Sequence, residues 1–217
     1  MADNPERLVA PLRLYSKTMG GNRWRVSRLN RINAGAALIQ RTHVDIVGRG
    51  NEVAIGHMSR LIDCHIYVCG SNNRIEIGER VFLKNTELWI EDDNNHVMIG
   101  DHTLIAGKTH LAAIEGTRID IGSDCLFSSD IRMATGDSHS VIDNEGKRIN
   151  HSRSILIGNH VWVGNRVACL KGVHVADNCV VGTGSILGAR FDESNAIIVG
   201  SPGRVIRTGV SWLRERI

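Results

Sequence analysis

The groups best suited to chemistry lie between Gly136 and Gly164, in GDSHSVIDNEGKRINHSRSILIGNHVWVG. The stretch opens on Asp137-Ser138-His139-Ser140, runs through a polar segment with Lys147 and Arg148, and ends on a regular apolar pattern around Trp162. Imidazole titrates nearest neutrality of the common side chains, so a histidine on such a loop suits removal of a proton from an attacking hydroxyl. Ten histidines compete for that role. His57, His96, His102, His160 and His174 fall at positions expected to face solvent, whereas His139 is flanked by Asp137 and two serines. Asp137 stands two residues before His139, where it either orients the imidazole or begins an Asx turn. Ser138, Lys147 and Arg148 are further polar groups of the stretch, and His110 stands in the preceding repeat close to the corner.

Composition bounds what surrounds this stretch. A chain of 217 residues can build one good core or two small domains. Aromatics make up 4% and glycine numbers 23, which disfavours a helical bundle and fits a turn-rich β architecture. A net charge of +3 is too small to suggest nucleic acid. No apolar run is long enough to span a membrane, and the N-terminus lacks the order of a signal peptide. Cys64, Cys69, Cys125, Cys169 and Cys179 form no CxxC pair, so a reduced, cytoplasmic setting is expected.

The positioning element is a repeat. Ile-Gly recurs at Ile55-Gly56, Ile77-Gly78, Ile99-Gly100 and Ile121-Gly122, and returns at Ile157-Gly158. Val53, Ile75, Val97, Ile119 and Ile155 stand two residues before these, an alternation that marks strands. Within each copy an apolar residue recurs every sixth place, as in Ile77, Leu83 and Trp89, or Ile99, Ile105 and Leu111. The same step runs through Ile157, Val163, Cys169, Val175, Val181 and Leu187. Small or β-branched residues follow each by four: Val81, Thr103, Cys125, Val161, Val167, Val173, Cys179 and Ser185. Three short strands per coil, stacked at about 4.8 Å, meet this pattern. The longer early period adds turn formers at one corner, around Gly70–Asn73, Asp92–Asn95 and Glu115-Gly116. The stretch that opens at Gly136 is the same corner, further enlarged.

This hexad run resembles the hexapeptide repeats of left-handed parallel β-helix acyltransferases. GDSHS, KRIN and IGNHVWVG are similar to its bacterial sugar and capsular-polysaccharide O-acetyltransferase branch. The resemblance covers about residues 45 to 208. It implies an all-β left-handed parallel β-helix, a homotrimer with active sites between subunits, acetyl-CoA as co-substrate, a carbohydrate acceptor and no metal. By the same resemblance His139 is the base, Trp162 lines the acetyl-CoA and acceptor site, and His110, from the neighbouring coil, is a candidate to hold the acceptor together with Ser138, Lys147 and Arg148. Asn165 and Thr183 contact pantetheine, with Gly164 and Gly182 leaving that wall open. Arg190, Arg204 and Arg207 meet the nucleotide phosphates. The chain departs from the usual Thr-Lys-Asp-Ile-Pro-Pro of the closing segment, where it has Gly188-Ala189-Arg190-Phe191-Asp192.

The expected organisation is a basic, partly helical lead-in over residues 1–43, a β-helix over 44–188 with its loop at 136–156, and a closing loop, returning strand and short helix over 189–217. Leu8, Leu12 and Tyr15 would share a helix face. Arg23, Arg25, Arg28 and Arg31 would form either a solvated face or a docking surface for a polyanion. Trp212 would cover the end of the β-helix. Two other classes compete: a γ-class carbonic anhydrase on the same scaffold, and a non-catalytic structural or regulatory β-helix. The first needs three histidines on zinc, including a close pair, and no two histidines here are five apart. The second leaves the pairing of Asp-Ser-His-Ser with Trp162 unexplained.

Overall fold

The computed structural model describes residues 11–217, apart from residues 13 and 17. It is a parallel β-solenoid of about 8 turns with 3% helix. Each coil contributes one strand to each of three faces. The first face carries Arg23–Val26, His43–Val47, His65–Cys69, Thr86–Glu91, the later halves of Leu104–Ala113 and Leu126–Ala134, Ala168–Cys169 and Ile186–Leu187. The second is an 8-stranded sheet from Arg31–Asn33 to Arg190–Phe191. The third begins at Leu38–Gln40 and ends at Ile197–Gly200, which the antiparallel strand Gly203–Arg207 extends.

Alternation along each strand sends one set of side chains into a shared prism. Ile66 and Val68, Leu88 and Ile90, and Leu111 and Ala113 stack inside the first face, each at most 1% exposed. Val81, Thr103, Cys125, Val161, Val167, Val173, Cys179 and Ser185 are all buried, as their small size at that step requires. One expected inward residue is not inside. The step from Leu83 to the next core position is five residues, so Leu88 is buried and Trp89 faces outward.

The extra corner residues of the early coils divide their labour. Asn72, Asp92, Asn94 and Glu115 adopt positive φ and turn the chain. Asn51, Asn73 and Asn95 point inward as a ladder, each side-chain oxygen accepting the backbone N–H of the residue one coil later: Asn51 Oδ1 to Asn73 N at 2.9 Å, Asn73 Oδ1 to Asn95 N at 2.8 Å, and Asn95 Oδ1 to Thr117 N at 3.0 Å. Buried backbone groups at a corner need partners, and the amides supply them.

The expected boundaries shift. Arg23–Val26, Arg31–Asn33 and Leu38–Gln40 pair in parallel with the following coil, so the solenoid begins about 20 residues earlier than residue 44. Helical residues occur between 11 and 18, where Ser16 Oγ accepts from Ile39 N at 3.3 Å and covers the first coil; Leu8 lies outside the described residues. Arg23 and Arg25 stand on the first face and Arg31 on the second, where Arg25 pairs with Asp45 and Arg31 with Glu52, so the basic cluster is not one surface. The core continues past residue 188 through Phe191 and Ile198. Residues 208–217 are irregular rather than helical. They run back over the third face's corner, with Val210 N on Asn195 O at 3.0 Å, Trp212 Nε1 on His160 O at 2.8 Å, and Arg214 on Asp124 at 2.9 Å. Trp212 therefore covers the side of the solenoid, not its end.

Candidate active site

The chain leaves the first face after Ala134 and returns at Ile155–Ile157 on the second. Gly136 is the hinge, since a Cβ there would lie 2.2 Å from Ser152 Oγ and 2.5 Å from Ile114 Cδ1. A larger residue there would force the Ser152 and Ile114 side chains to move. Beyond it the loop folds as a small hairpin, with Ile149 N donating to Val141 O at 2.9 Å and Asp143 N to Lys147 O at 2.9 Å. Lys147 is exposed near its tip.

Asn150 is the hub that holds His139 in place. Its Nδ2 donates to His139 O at 2.8 Å and to Asp137 Oδ2 at 2.7 Å, while its Oδ1 accepts from Val141 N at 2.7 Å. Lys171, from the following coil, donates to both Asp137 Oδ2 and Asn150 O. These contacts hold the Asp137 carboxyl below the usual range, Lys171 first and Asn150 second. Asp137 thus fixes the loop entry and makes no hydrogen bond to the His139 ring, whose main chain alone is tethered. The imidazole is exposed.

Arg148 is an anchor rather than a free cation. Its guanidinium lies 2.6 Å from Glu115 Oε1 and 3.0 Å from Oε2, a forked pair that pins the return leg to the preceding coil. With Ser152 Oγ 2.7 Å from the same carboxylate, the Glu115 pKa falls to about 2, chiefly through Arg148. His110 Nδ1 lies 2.7 Å from Glu87 Oε2 on the first face.

Two connected clefts lie beneath the loop. One of 430 Å³ is lined by Arg132, Asp137, Ser138, Arg153, Lys171 and Gly188 among others. The other, of 370 Å³, shares Arg132 and Ser138 with it and reaches His110 and Trp89. Three cations against one carboxylate make the first cleft suited to an anionic group. A larger trough of 710 Å³ follows the glycine row Gly56, Gly78, Gly100 and Gly122 at the opposite corner, remote from His139.

Trp162 is 40% exposed on the third face, between Leu126 and Val180. Its ring centre is 6.2 Å from Trp212, which in turn stacks on His160 at 4.2 Å. His160 is therefore not a solvated side chain, because its Nδ1 also lies 2.7 Å from Asp124 Oδ2. Burial raises the Asp124 carboxyl, and His160 and Arg214 outweigh that to leave it below the usual range. Within one chain Trp162 and His139 occupy different parts of the prism, with the second face lying between the loop and Trp162. The structure does not bring the two ends of the Gly136–Gly164 stretch together.

The other expected residues are also sorted by face. Asn165 and Thr183 sit at the corner joining the third face to the first, where Asn165 Oδ1 accepts from Ser129 N at 3.0 Å. Gly164 and Gly182 do not open a wall there. A Cβ at Gly164 would meet Thr183 N at 2.8 Å, and one at Gly182 would meet Val199 Cγ1 at 2.6 Å, so glycine permits close stacking of coils. Arg204 and Arg207 are exposed on Gly203–Arg207. Arg190 lies on the second face, 2.8 Å from Asp192, and is not grouped with them. Burial pushes the Cys64 and Cys125 thiols up to about 11 and Cys169 to about 12, which keeps them protonated and inert.

Sequence and fold comparisons agree on a class. The chain is similar to hexapeptide-repeat acetyltransferases, and its solenoid matches their left-handed parallel β-helix. Over 110 residues, 50% of this chain and 51% of the relative, it is 31% identical to polysialic acid O-acetyltransferase of Neisseria meningitidis. It is 36% identical over 100 residues to galactoside O-acetyltransferase of Escherichia coli K12, covering 45% and 48% of the two chains. The solved polysialic acid O-acetyltransferase OatWY superposes with a TM-score of 0.84 at 29% identity, covering 90% of this chain and 92% of that one. The chain spans about half the length of the curated relatives it matches. No family model matches it.

Proposed function

We propose that this chain is an O-acetyltransferase that moves acetyl from acetyl-CoA to a carbohydrate hydroxyl, on a cell-surface or capsular sugar such as sialic acid or its precursor. The observation that carries this reading is His139, exposed, tethered only through its carbonyl, and next in sequence to Asp137 and Ser138 on the wall of a cleft that Arg132, Arg153 and Lys171 also line. An acceptor bearing a carboxylate complements that cleft.

In the reaction the acceptor oxygen attacks the thioester carbonyl carbon while the His139 imidazole takes the hydroxyl proton. The tetrahedral intermediate collapses with loss of the CoA thiolate, and the imidazolium returns the proton to sulfur. A backbone N–H near the loop or the Trp162 coil stabilises the oxyanion, a contribution of roughly 10²–10³-fold in rate. Trp162, Asn165, Thr183, Arg204 and Arg207 form the donor side.

Because His139 and Trp162 lie apart within one chain, the complete site forms between copies. An outward row on the third face supports this: Leu104, Leu126, Trp162, Val180 and Ile197 present a continuous apolar line. A homotrimer burying that line completes three sites. No helix among the described residues is long and apolar enough to cross a membrane. Five free cysteines and a CoA donor favour a cytoplasmic setting.

The test is His139→Ala, assayed for thioester cleavage with sialic acid acceptors and for oligomeric mass. The expected result is loss of acetyl transfer with the assembly intact. Activity above a few per cent of the parent overturns the assignment of the base.

A further inference from the structure

The first face carries a second feature that the reaction chemistry leaves unused. In one outward row His65, Glu87, His110 and Arg132 follow one another in register. In the row beside it stand Asp45, Tyr67, Trp89, Ala112 and Ala134. Tyr67 and Trp89 stack at 4.1 Å with 26° between their planes, and both are half-buried. His65 braces each ring from 6.2 Å. The Trp89 Nε1–H is held by Glu91 at 3.0 Å, which fixes the indole.

The row then drops from large rings to two alanines. The drop makes the 370 Å³ cleft, with Trp89 as its end wall, Ala112 and Ala134 below, and His110, Arg132 and Ser138 beside it. This cleft adjoins the cationic one, since the two share Arg132, Ala134, Gly136 and Ser138. A fixed aromatic surface bordered by hydrogen-bonding side chains suits a pyranose, whose C–H face packs on a ring while its hydroxyls reach outward. Two of the carboxylates on this face, Glu87 and Asp45, are already engaged, while Glu91 at the cleft wall accepts only the neutral Trp89 N–H and is set against the Arg132 guanidinium that lines the same cleft. Glu87 lies 2.7 Å from His110, and Asp45 lies 3.5 Å from Arg25 and 3.4 Å from His65. The rungs recur at about 4.8 Å, which lets neighbouring sugar units meet successive coils.

We infer that the Tyr67–Trp89 stack is a binding subsite for sugar units of the acceptor beyond the one acetylated, so that an extended glycan lies along the first face toward the N-terminal coils. This rests on the reading of the chain as a carbohydrate O-acetyltransferase. It assigns Tyr67 and Trp89 to acceptor length, and neither to the chemical step.

The experiment compares long polysialic acid with the sialic acid trisaccharide as acceptors for the wild type, Trp89→Ala, Trp89→Phe and Tyr67→Ala. Trp89→Ala should raise KM for the long polymer about tenfold and leave kcat, KM for the trisaccharide and KM for acetyl-CoA within twofold. Trp89→Phe should recover most of the loss, and Tyr67→Ala should show a smaller change of the same kind. An unchanged KM for the long polymer overturns the subsite, as does a fall in oligomeric mass with Trp89→Ala, which would make this face a contact between copies. If the wild type acetylates neither acceptor, the transferase reading fails instead. Quenching of tryptophan fluorescence by polysialic acid, weakened in Trp89→Ala, then decides the subsite, and absence of quenching in the wild type overturns it.

Discussion

The coils before the loop and the coils after it are built to different widths. Before it, the repeat is 22 residues and first-face strands such as His65–Cys69 and Thr86–Glu91 run five or six residues. After it, the corner contact from Asn159 to Asp177 spans 18 residues and strands such as Ala168–Cys169 and Ile186–Leu187 have two. The cause is the four-residue corner and its asparagine ladder, which only the early coils contain. A wide face has room for an outward row of rings, whereas the narrow one shows Ala168 and Leu170 in line. The loop stands at the step between them. Its return leg is fastened to the wide half through Arg148 and Glu115, and its entry to the narrow half through Asp137 and Lys171. On the proposed function, the wide coils would take the outlying sugar units of the acceptor, the step and the cleft beside it the reacting unit, and the narrow coils the donor.

The sharpest way to break that division is to disturb the step alone. Asn150→Ala removes the amide that joins Asp137, His139 and Val141. With His139 displaced by about 1 Å, kcat should fall roughly a hundredfold while KM for acetyl-CoA stays unchanged. Steady-state kinetics with the same acceptor checks this, and a kcat within threefold of the parent removes Asn150 as a positioning residue. On the wide half, Asn73→Ala leaves the backbone N–H of Asn95 and the carbonyl of Asp92 without their buried partner. It should cost about 3 kcal/mol in denaturant unfolding and leave acetyl-CoA affinity unaltered. Coupled loss of both would mean that the halves are one energetic unit.

How much of this was legible in the residues follows from what is periodic. Ile-Gly and the small residues four places on repeat at every coil, so the prism and its inward rows could be read directly. Trp89 was misplaced because the corner between Leu83 and Leu88 is one residue short. The alternation Thr86, Leu88, Ile90 was the signal that put it outside. Arg190 lies on a different face from Arg204 and Arg207 and is paired with Asp192, a separation that residue type alone does not reveal. Asn150 and Lys171 left no periodic trace, since they meet Asp137 across 13 and 34 residues through a loop that occurs once. Repetition reveals scaffolds; single excursions reveal their contacts only when folded.

The narrow half offers a milder test. Trp212 is packed between His160 and Trp162 and tied by its Nε1–H to His160 O. Trp212→Ala should free Trp162 and raise KM for acetyl-CoA about tenfold, with KM for the polymer unchanged. Arg204→Ala, on an exposed strand, should raise the same KM about threefold with less effect on kcat. A change in acceptor KM from either variant would erase the boundary between donor and acceptor coils.

The smallest effect concerns which half holds the loop as pH falls. The Glu115 carboxyl titrates at about 2 in the folded chain, below its ordinary 4.5, because Arg148 and Ser152 bond its charged form. A depressed folded pKa contributes stability that is complete above the unfolded value and is lost as pH falls through the folded one. The return leg should therefore stay docked from neutrality to about pH 4.5 and loosen between there and pH 2. Hydrogen exchange of the Ile149 amide, which closes the hairpin onto Val141, reports this directly. In Glu115→Gln the neutral amide cannot pair with Arg148 as an ion. Protection at neutral pH should drop a few fold and lose its acid dependence. Lys171→Met cuts the other anchor, and should loosen the entry leg while leaving the acid response of Ile149 in place. If Lys171→Met abolishes that response, the narrow coils hold both legs and the wide half serves the acceptor alone.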